Sequence, residues 1–240
     1  MKNQSQISKS NTGFTMVEVL VVIVIIVALA AITITVSSKM KARGESMKMI
    51  ANMRQVGSLL MGFAVDNSSR LPAPKGTVVD TSGNATEGLY WHQAIVRQMY
   101  ADLDPARLKD DKWWEQTNPI LHNPKCTTLS KPYSVAHWNQ GYAMNWRIAK
   151  NLGKDSGDWT PGSGGAGEYG VPLGSVSDVA RVPIIAPRAN FHYNGSDLKE
   201  PGMKDFLSDG KVPILFVDGH VETISPKDYM ARKLDDLPRK

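Results

Sequence analysis

The residues with the clearest chemical task stand near the start of this 240-residue chain, in the stretch Gly13-Phe14-Thr15-Met16-Val17-Glu18. Glu18 is followed at once by eighteen residues, Val19–Val36, that carry no charge and only two polar members, Thr33 and Thr35. A carboxylate at the mouth of such a run is costly to desolvate and needs a partner or a task. The other reactive side chains are dispersed. His92, His122, His137, His192 and His220 show neither the i, i+4 spacing nor the HExxH pattern of a zinc site. Asp205, Asp209 and Asp218 match no calcium-loop spacing and read as solvated loop carboxylates. Ser134 and Ser163 lack a nucleophile-elbow context. The glycine-rich Gly162–Gly167 has no Lys-Ser/Thr after it and reads as a loop rather than a phosphate cradle. No catalytic constellation, metal site or cofactor is expected.

The elements that must position Glu18 follow from the hydropathy pattern. Eighteen apolar residues at ~1.5 Å rise are enough to cross a hydrocarbon core of ~30 Å. No proline occurs before Pro72, and Met49, Met53, Val56, Leu60 and Phe63 recur at spacings of 4, 3, 4 and 3. That is one apolar face of a continuing helix, which Asp66–Pro72 should stop, with Pro72 as the terminator. A helix over Phe14–Val65 would be ~78 Å long. Beyond it the chain holds all 14 prolines and only short helical pieces such as His92–Tyr100. Net charge is +5, including Lys2 and Lys9 ahead of the span, with no basic run or aromatic-basic motif, so no nucleic-acid role is expected. The single cysteine, Cys126, can form no internal disulfide and reads as buried. The six tryptophans read as core fillers, although the adjacent Trp113-Trp114 cannot both face one core and could serve a binding surface.

Three readings of the N-terminus compete. A cleaved secretory signal fits Lys2, Lys9 and Ala28-Leu29-Ala30, but the apolar run continues past Ala30 without a break. An uncleaved anchor explains the length but not Glu18. The third reading explains both. GFTMVEVLVVIVIIVALA resembles the N-terminal signature of type IV pilins and type II secretion pseudopilins. The resemblance implies a leader of residues 1–13 removed by a prepilin peptidase after Gly13, N-methylation of Phe14, and a role for Glu18 in subunit assembly. Cleavage would create an ammonium at Phe14, and the Glu18 carboxylate of one subunit could meet the Phe14 amine of its neighbour. The basic residues Lys39, Lys41, Arg43 and Lys48 outnumber Lys2 and Lys9, so the positive-inside count alone would place the N-terminus outside. The resemblance implies the opposite orientation, with the head in the periplasm and the precursor in the inner membrane.

The resemblance extends to pilin-like proteins with a C-terminal His…Asp-Gly signature. Its landmarks here are Asn52–Gly57, Asn67–Pro72, Trp91-His92, Pro124-Lys125-Cys126, Gly141–Asn145 and Phe216–Glu222. Two departures stand out. Twenty-five residues separate His192 from Asp218, where the family usually has nine, so a segment around Ser196–Lys211 looks inserted. A cysteine often found in that family near position 49 is replaced by Met49.

The expected fold class is α+β: a long N-terminal helix, with residues 14–36 as the membrane or filament-core part and 37–71 as its amphipathic continuation. It should pack on a small antiparallel sheet in a loop-rich head, residues 72–240, that ends in a hairpin over 212–224. The hairpin turn is assigned to Asp218-Gly219 as a two-residue type I′ turn, pairing Phe216 with Val221 and Ile214 with Thr223. Val212, Ile214, Phe216 and Val221 should then face the Met49–Phe63 stripe, and Pro213 should lie at a sheet edge or a strand start. The expected function is that of a pilus or pseudopilus subunit whose partners are the prepilin peptidase, other pilin or pseudopilin subunits and the inner membrane. A membrane-tethered binding or adhesion head that does not polymerise is the rival reading.

Overall fold

A computed structural model describes residues 13–79, 85–100, 102–104, 119–125, 141–145, 169–187, 192–193 and 210–234, with isolated positions at 107, 113 and 117. Cys126, Trp114, Trp138, Trp146, Trp159, Asp205, Asp209 and Gly162–Gly167 lie outside the described residues. The chain divides into two compact units, Met1–Arg43 and Gly44–Lys240. Helix α1 (Met16–Asp66) contributes to both.

In the first unit every described side chain of α1 is exposed. The apolar run has no face of its own to bury. Thr33 Oγ1 donates to Leu29 O at 2.8 Å, so this hydroxyl stays satisfied without water.

In the second unit α1 behaves as an ordinary amphipathic helix. Met49, Met53, Val56 and Leu60 are fully buried and Phe63 nearly so, while Arg54, Gln55 and Ser58 face solvent. Each such side chain removed from water stabilises by ~1.5–3 kcal/mol. The helix ends one residue beyond the expected point, and by a different device. Ser68 and Ser69 take φ of 54° and 60°, and Ser69 N donates back to Ala64 O at 2.8 Å. Asn67 Nδ2 closes the last turn on Phe63 O at 2.7 Å. A left-handed cap therefore stops α1 before Pro72 can.

Three strands follow: β1 (Arg70–Pro72), β2 (Lys75–Val79) and β3 (Ala85–Tyr90). Then come α2 (Trp91–Met99), β4 (Tyr142–Asn145), β5 (Tyr169–Pro172), β6 (Pro183–Pro187), β7 (His192–Tyr193), β8 (Val212–Phe216), β9 (Val221–Ile224) and α3 (Pro226–Ala231). The main sheet has the order β7-β4-β6-β8-β9, and β1-β5 and β2-β3 form separate two-stranded pairs. All pairings are antiparallel except β4 with β7, where Met144 aligns with His192 in parallel.

The hairpin differs from the sequence expectation by one residue. Leu215 pairs with Val221, Ile214 with Glu222 and Pro213 with Thr223. Phe216 N donates to His220 O at 2.9 Å and Gly219 N to Phe216 O at 3.0 Å, enclosing the three residues Val217-Asp218-Gly219. Gly219 has φ +87°, whereas Asp218 is not among the positive-φ residues. This is the type I turn with a glycine bulge, not the two-residue I′ turn.

The slip puts Val221 on the face of Leu215 instead of Phe216, and it is this odd-numbered face of β8, not the even-numbered one, that meets the stripe. Leu215 and Val217 join the cluster of Met49, Met53, Val56 and Leu60. Val212, Ile214 and Phe216 pack instead with Ile224, Tyr229 and Leu234. Helix α3, not among the elements expected from the sequence, supplies that second layer. Ser225 caps it, accepting from Asp228 N at 3.1 Å, and Pro226 takes its first position. Strand β8 is also interior rather than an edge. Val217 N donates to Val182 O at 2.9 Å, so the odd-numbered residues of β8 direct their N–H towards β6. The β6–β8 register pairs only Leu215 and Phe216 with Ile185 and Pro183, and Pro213 lies beyond that short ladder.

Candidate functional site: the N-terminal apolar helix

Helix α1 opens with a reciprocal cap. Thr15 N and Thr15 Oγ1 both donate to Glu18 Oε2 at 2.9 Å, and Glu18 N donates to Thr15 Oγ1 at 3.3 Å. This is a Thr-x-x-Glu capping box, which satisfies two of the helix's orphan N–H groups at once. The carboxylate also sits at the positive end of the helix dipole. Among the described residues Glu18 Oε1 has no partner. Gly13, Phe14 and Glu18 are expected from the sequence and Thr15 is not, although its signal is there as the spacing Thr15-x-x-Glu18 ahead of an apolar run.

Around this cap lies apolar surface that the chain itself leaves uncovered. Phe14 is 86% exposed, Met16 93% and Ile34 72%. Among the described residues α1 is the helix long and apolar enough to cross a membrane, and its apolar part is unburied. A helix that is hydrophobic all round requires lipid or other helices as its surroundings.

Residues 8–34 match the family model described as Prokaryotic N-terminal methylation motif. The chain is pilin-like. Its N-terminus is of the type processed by a prepilin peptidase and methylated, and its first apolar segment is a transmembrane helix. The match ends at residue 34, before the head. No curated protein and no solved structure matches the chain.

The head landmarks of this pilin-like chain hold the fold together. Asn52 Nδ2 donates to His122 O at 3.3 Å. Asn123 Nδ2 donates to Gly141 O at 2.9 Å, and its Oδ1 accepts from Lys125 N at 3.0 Å. Asn145 Nδ2 donates to Pro183 O at 2.9 Å. Trp91 and His92 are fully buried at the start of α2, with the His92 ring stacked on Tyr90 at 5.7 Å between centroids. Burial pushes the His92 imidazole down to about 3. Lys125 is nearly buried as well; desolvation lowers its ammonium, and the Glu45 carboxylate partly offsets this.

The structure does not bring His192 and Asp218 together. His192 lies on edge strand β7, three strand spacings from β8, or roughly 14 Å. Asp218 serves the hairpin turn instead. Its Oδ1 accepts from His220 N at 3.1 Å and meets His220 Nδ1 at 2.5 Å, while the His220 ring stacks on Phe216 at 4.4 Å. Among the described residues no group of three or more His, Cys, Asp or Glu could hold a metal ion.

Proposed function

We propose that this pilin-like chain is a structural subunit of a pilus or secretion pseudopilus. It is cut after Gly13, methylated on the Phe14 amine and assembled through α1, with its precursor in the inner membrane and its head in the periplasm. We assign it no catalytic role. The observation that carries this reading is the exposed apolar helix with a carboxylate held at its first turn. The Thr15 cap occupies Glu18 Oε2, and Oε1 is the atom that would receive the Phe14 ammonium of a neighbouring subunit. Pairing neutralises both charges as the helices pack away from water. A head that was only tethered would need the span but neither Phe14 nor Glu18.

The first test is an intact mass and N-terminal read of protein taken from native membranes, with a methylated Phe14 expected. A start at Ala31, or retained Met1, would overturn the processing assignment. The second test separates capping from pairing. Glu18→Gln keeps a hydrogen-bond acceptor for Thr15 but removes the charge, whereas Glu18→Ala removes both. Both variants should insert normally and lose cross-linked oligomers by at least about tenfold, because either leaves a buried ammonium unpaired. Wild-type assembly of Glu18→Gln would reduce Glu18 to a helix cap and favour the tethered head.

A further inference from the structure

Three cations lie within seven residues after the apolar run, and among the described residues nothing uses them. Lys39, Lys41 and Arg43 are exposed. Among the described residues they make no ion pair and no side-chain hydrogen bond. The nearest carboxylate along the helix, Glu45, is half-buried and acts on Lys125.

Their placement has two properties. At ~100° per residue, Lys39 and Arg43 lie on one side of α1 and Lys41 lies nearly opposite. The charges therefore form a collar rather than a stripe. They also sit at a defined height. From Glu18 to Lys39 is 21 residues and to Arg43 is 25, or ~32–38 Å at 1.5 Å per residue, which spans the ~30 Å hydrocarbon core and enters the headgroup layer. A protein partner docks on one side of a helix. A lipid interface surrounds it.

We propose that Lys39, Lys41 and Arg43 form a binding collar for the phosphates of anionic phospholipids, holding the unassembled subunit at the membrane face from which its head emerges. The inference rests on the membrane-spanning reading of α1, and its orientation on the reading of the N-terminus as a processed one. It also gives the three cations a task on the side where a positive-inside bias would disfavour them. Each cation near an anionic surface contributes an attraction that weakens with salt.

The test uses the full chain in neutral detergent micelles. Retained lipid is counted by native mass spectrometry after titration with phosphatidylglycerol or phosphatidylcholine. Wild type should retain phosphatidylglycerol with at least about a tenfold preference, falling at high salt. The triple variant Lys39→Gln, Lys41→Gln, Arg43→Gln should lose that preference. A control with the same charge loss on exposed residues of the second unit, Arg54→Gln, Lys211→Gln and Lys227→Gln, should keep it. Equal retention of both lipids by wild type would overturn the proposal, as would unchanged preference in the collar variant. Displacement of the lipid by equimolar inorganic phosphate would show a free-anion site instead and also overturn it. An N-terminal read of the same samples reports processing separately, so failure of the collar and failure of the pilin reading are distinguishable.

Discussion

Helix α1 contains two regions with the same backbone and opposite fates. Residues 16–43 expose every described side chain, whereas Met49, Met53, Val56 and Leu60 a few turns later are fully buried. Helix propensity does not distinguish them. The difference lies in how apolar residues are distributed around the axis. A stripe at spacings of 4 and 3 can be covered by one sheet, and the head supplies that sheet. A run that is apolar on all sides cannot be covered by one neighbour, so its burial must come from lipid or from other copies.

The sharpest way to break this comparison is a matched pair of substitutions on the same helix. Met53→Ala should destabilise the head by ~2–5 kcal/mol, the usual loss for a fully buried side chain of this size. Leu20→Ala, at a side chain 63% exposed within the chain, should leave head stability unchanged. Denaturant unfolding of the full chain in detergent, followed by tryptophan fluorescence, reads both. Equal effects would mean that the two regions are not energetically separate.

The next effect is one of pH and concerns the buried region alone. The His92 imidazole is held down to about 3 by burial, below the ordinary value of ~6.5. The unfolded chain therefore takes up the proton first as pH falls. The neutral imidazole's contribution to stability is fully present above pH ~6.5 and is lost between there and about 3, by at most ~1.4 kcal/mol per pH unit. Unfolding midpoints at pH 7, 5 and 4 should fall more steeply for wild type than for His92→Phe. Parallel profiles would remove His92 from the acid sensitivity of the head.

Two smaller effects test how the sheet meets the stripe. Gly219→Val should cost ~1–3 kcal/mol, because a β-branched residue is strained at φ +87°. Asp218→Asn should stay within ~0.5 kcal/mol, since Asn can accept the His220 N–H equally well. Thermal unfolding of both variants checks this. A large loss for Asp218→Asn would show that the Asp218–His220 contact contributes more than turn geometry.

The amino-acid sequence by itself determined the parts of this protein that are set by local pattern. Gly13, Phe14 and Glu18 stand at fixed offsets, and the apolar run and the stripe are periodicities of one continuous segment. A helix needs no distant information to be recognised when 3.6-residue spacing persists over many turns. Even the unexpected cap, Thr15 with Glu18, is a local spacing. Ser225-Pro226 likewise marked the start of α3.

Only the tertiary structure decided which face of β8 meets the helix. Asp-Gly is compatible with both a two- and a three-residue loop, and those differ by one residue of register. With a side-chain period of two, that one residue places Val221 on the face of Leu215 rather than of Phe216, while Leu215 and Val217 meet the stripe and Ile214 and Phe216 meet Tyr229 and Leu234. The choice is made by packing. Both faces of β8 are apolar, so its own pattern does not orient it, and α3 makes the second face buriable. Gly57 shows the same dependence: a Cβ there would lie 3.1 Å from Leu215 Cδ1. That close approach of helix and hairpin exists only once both are in place.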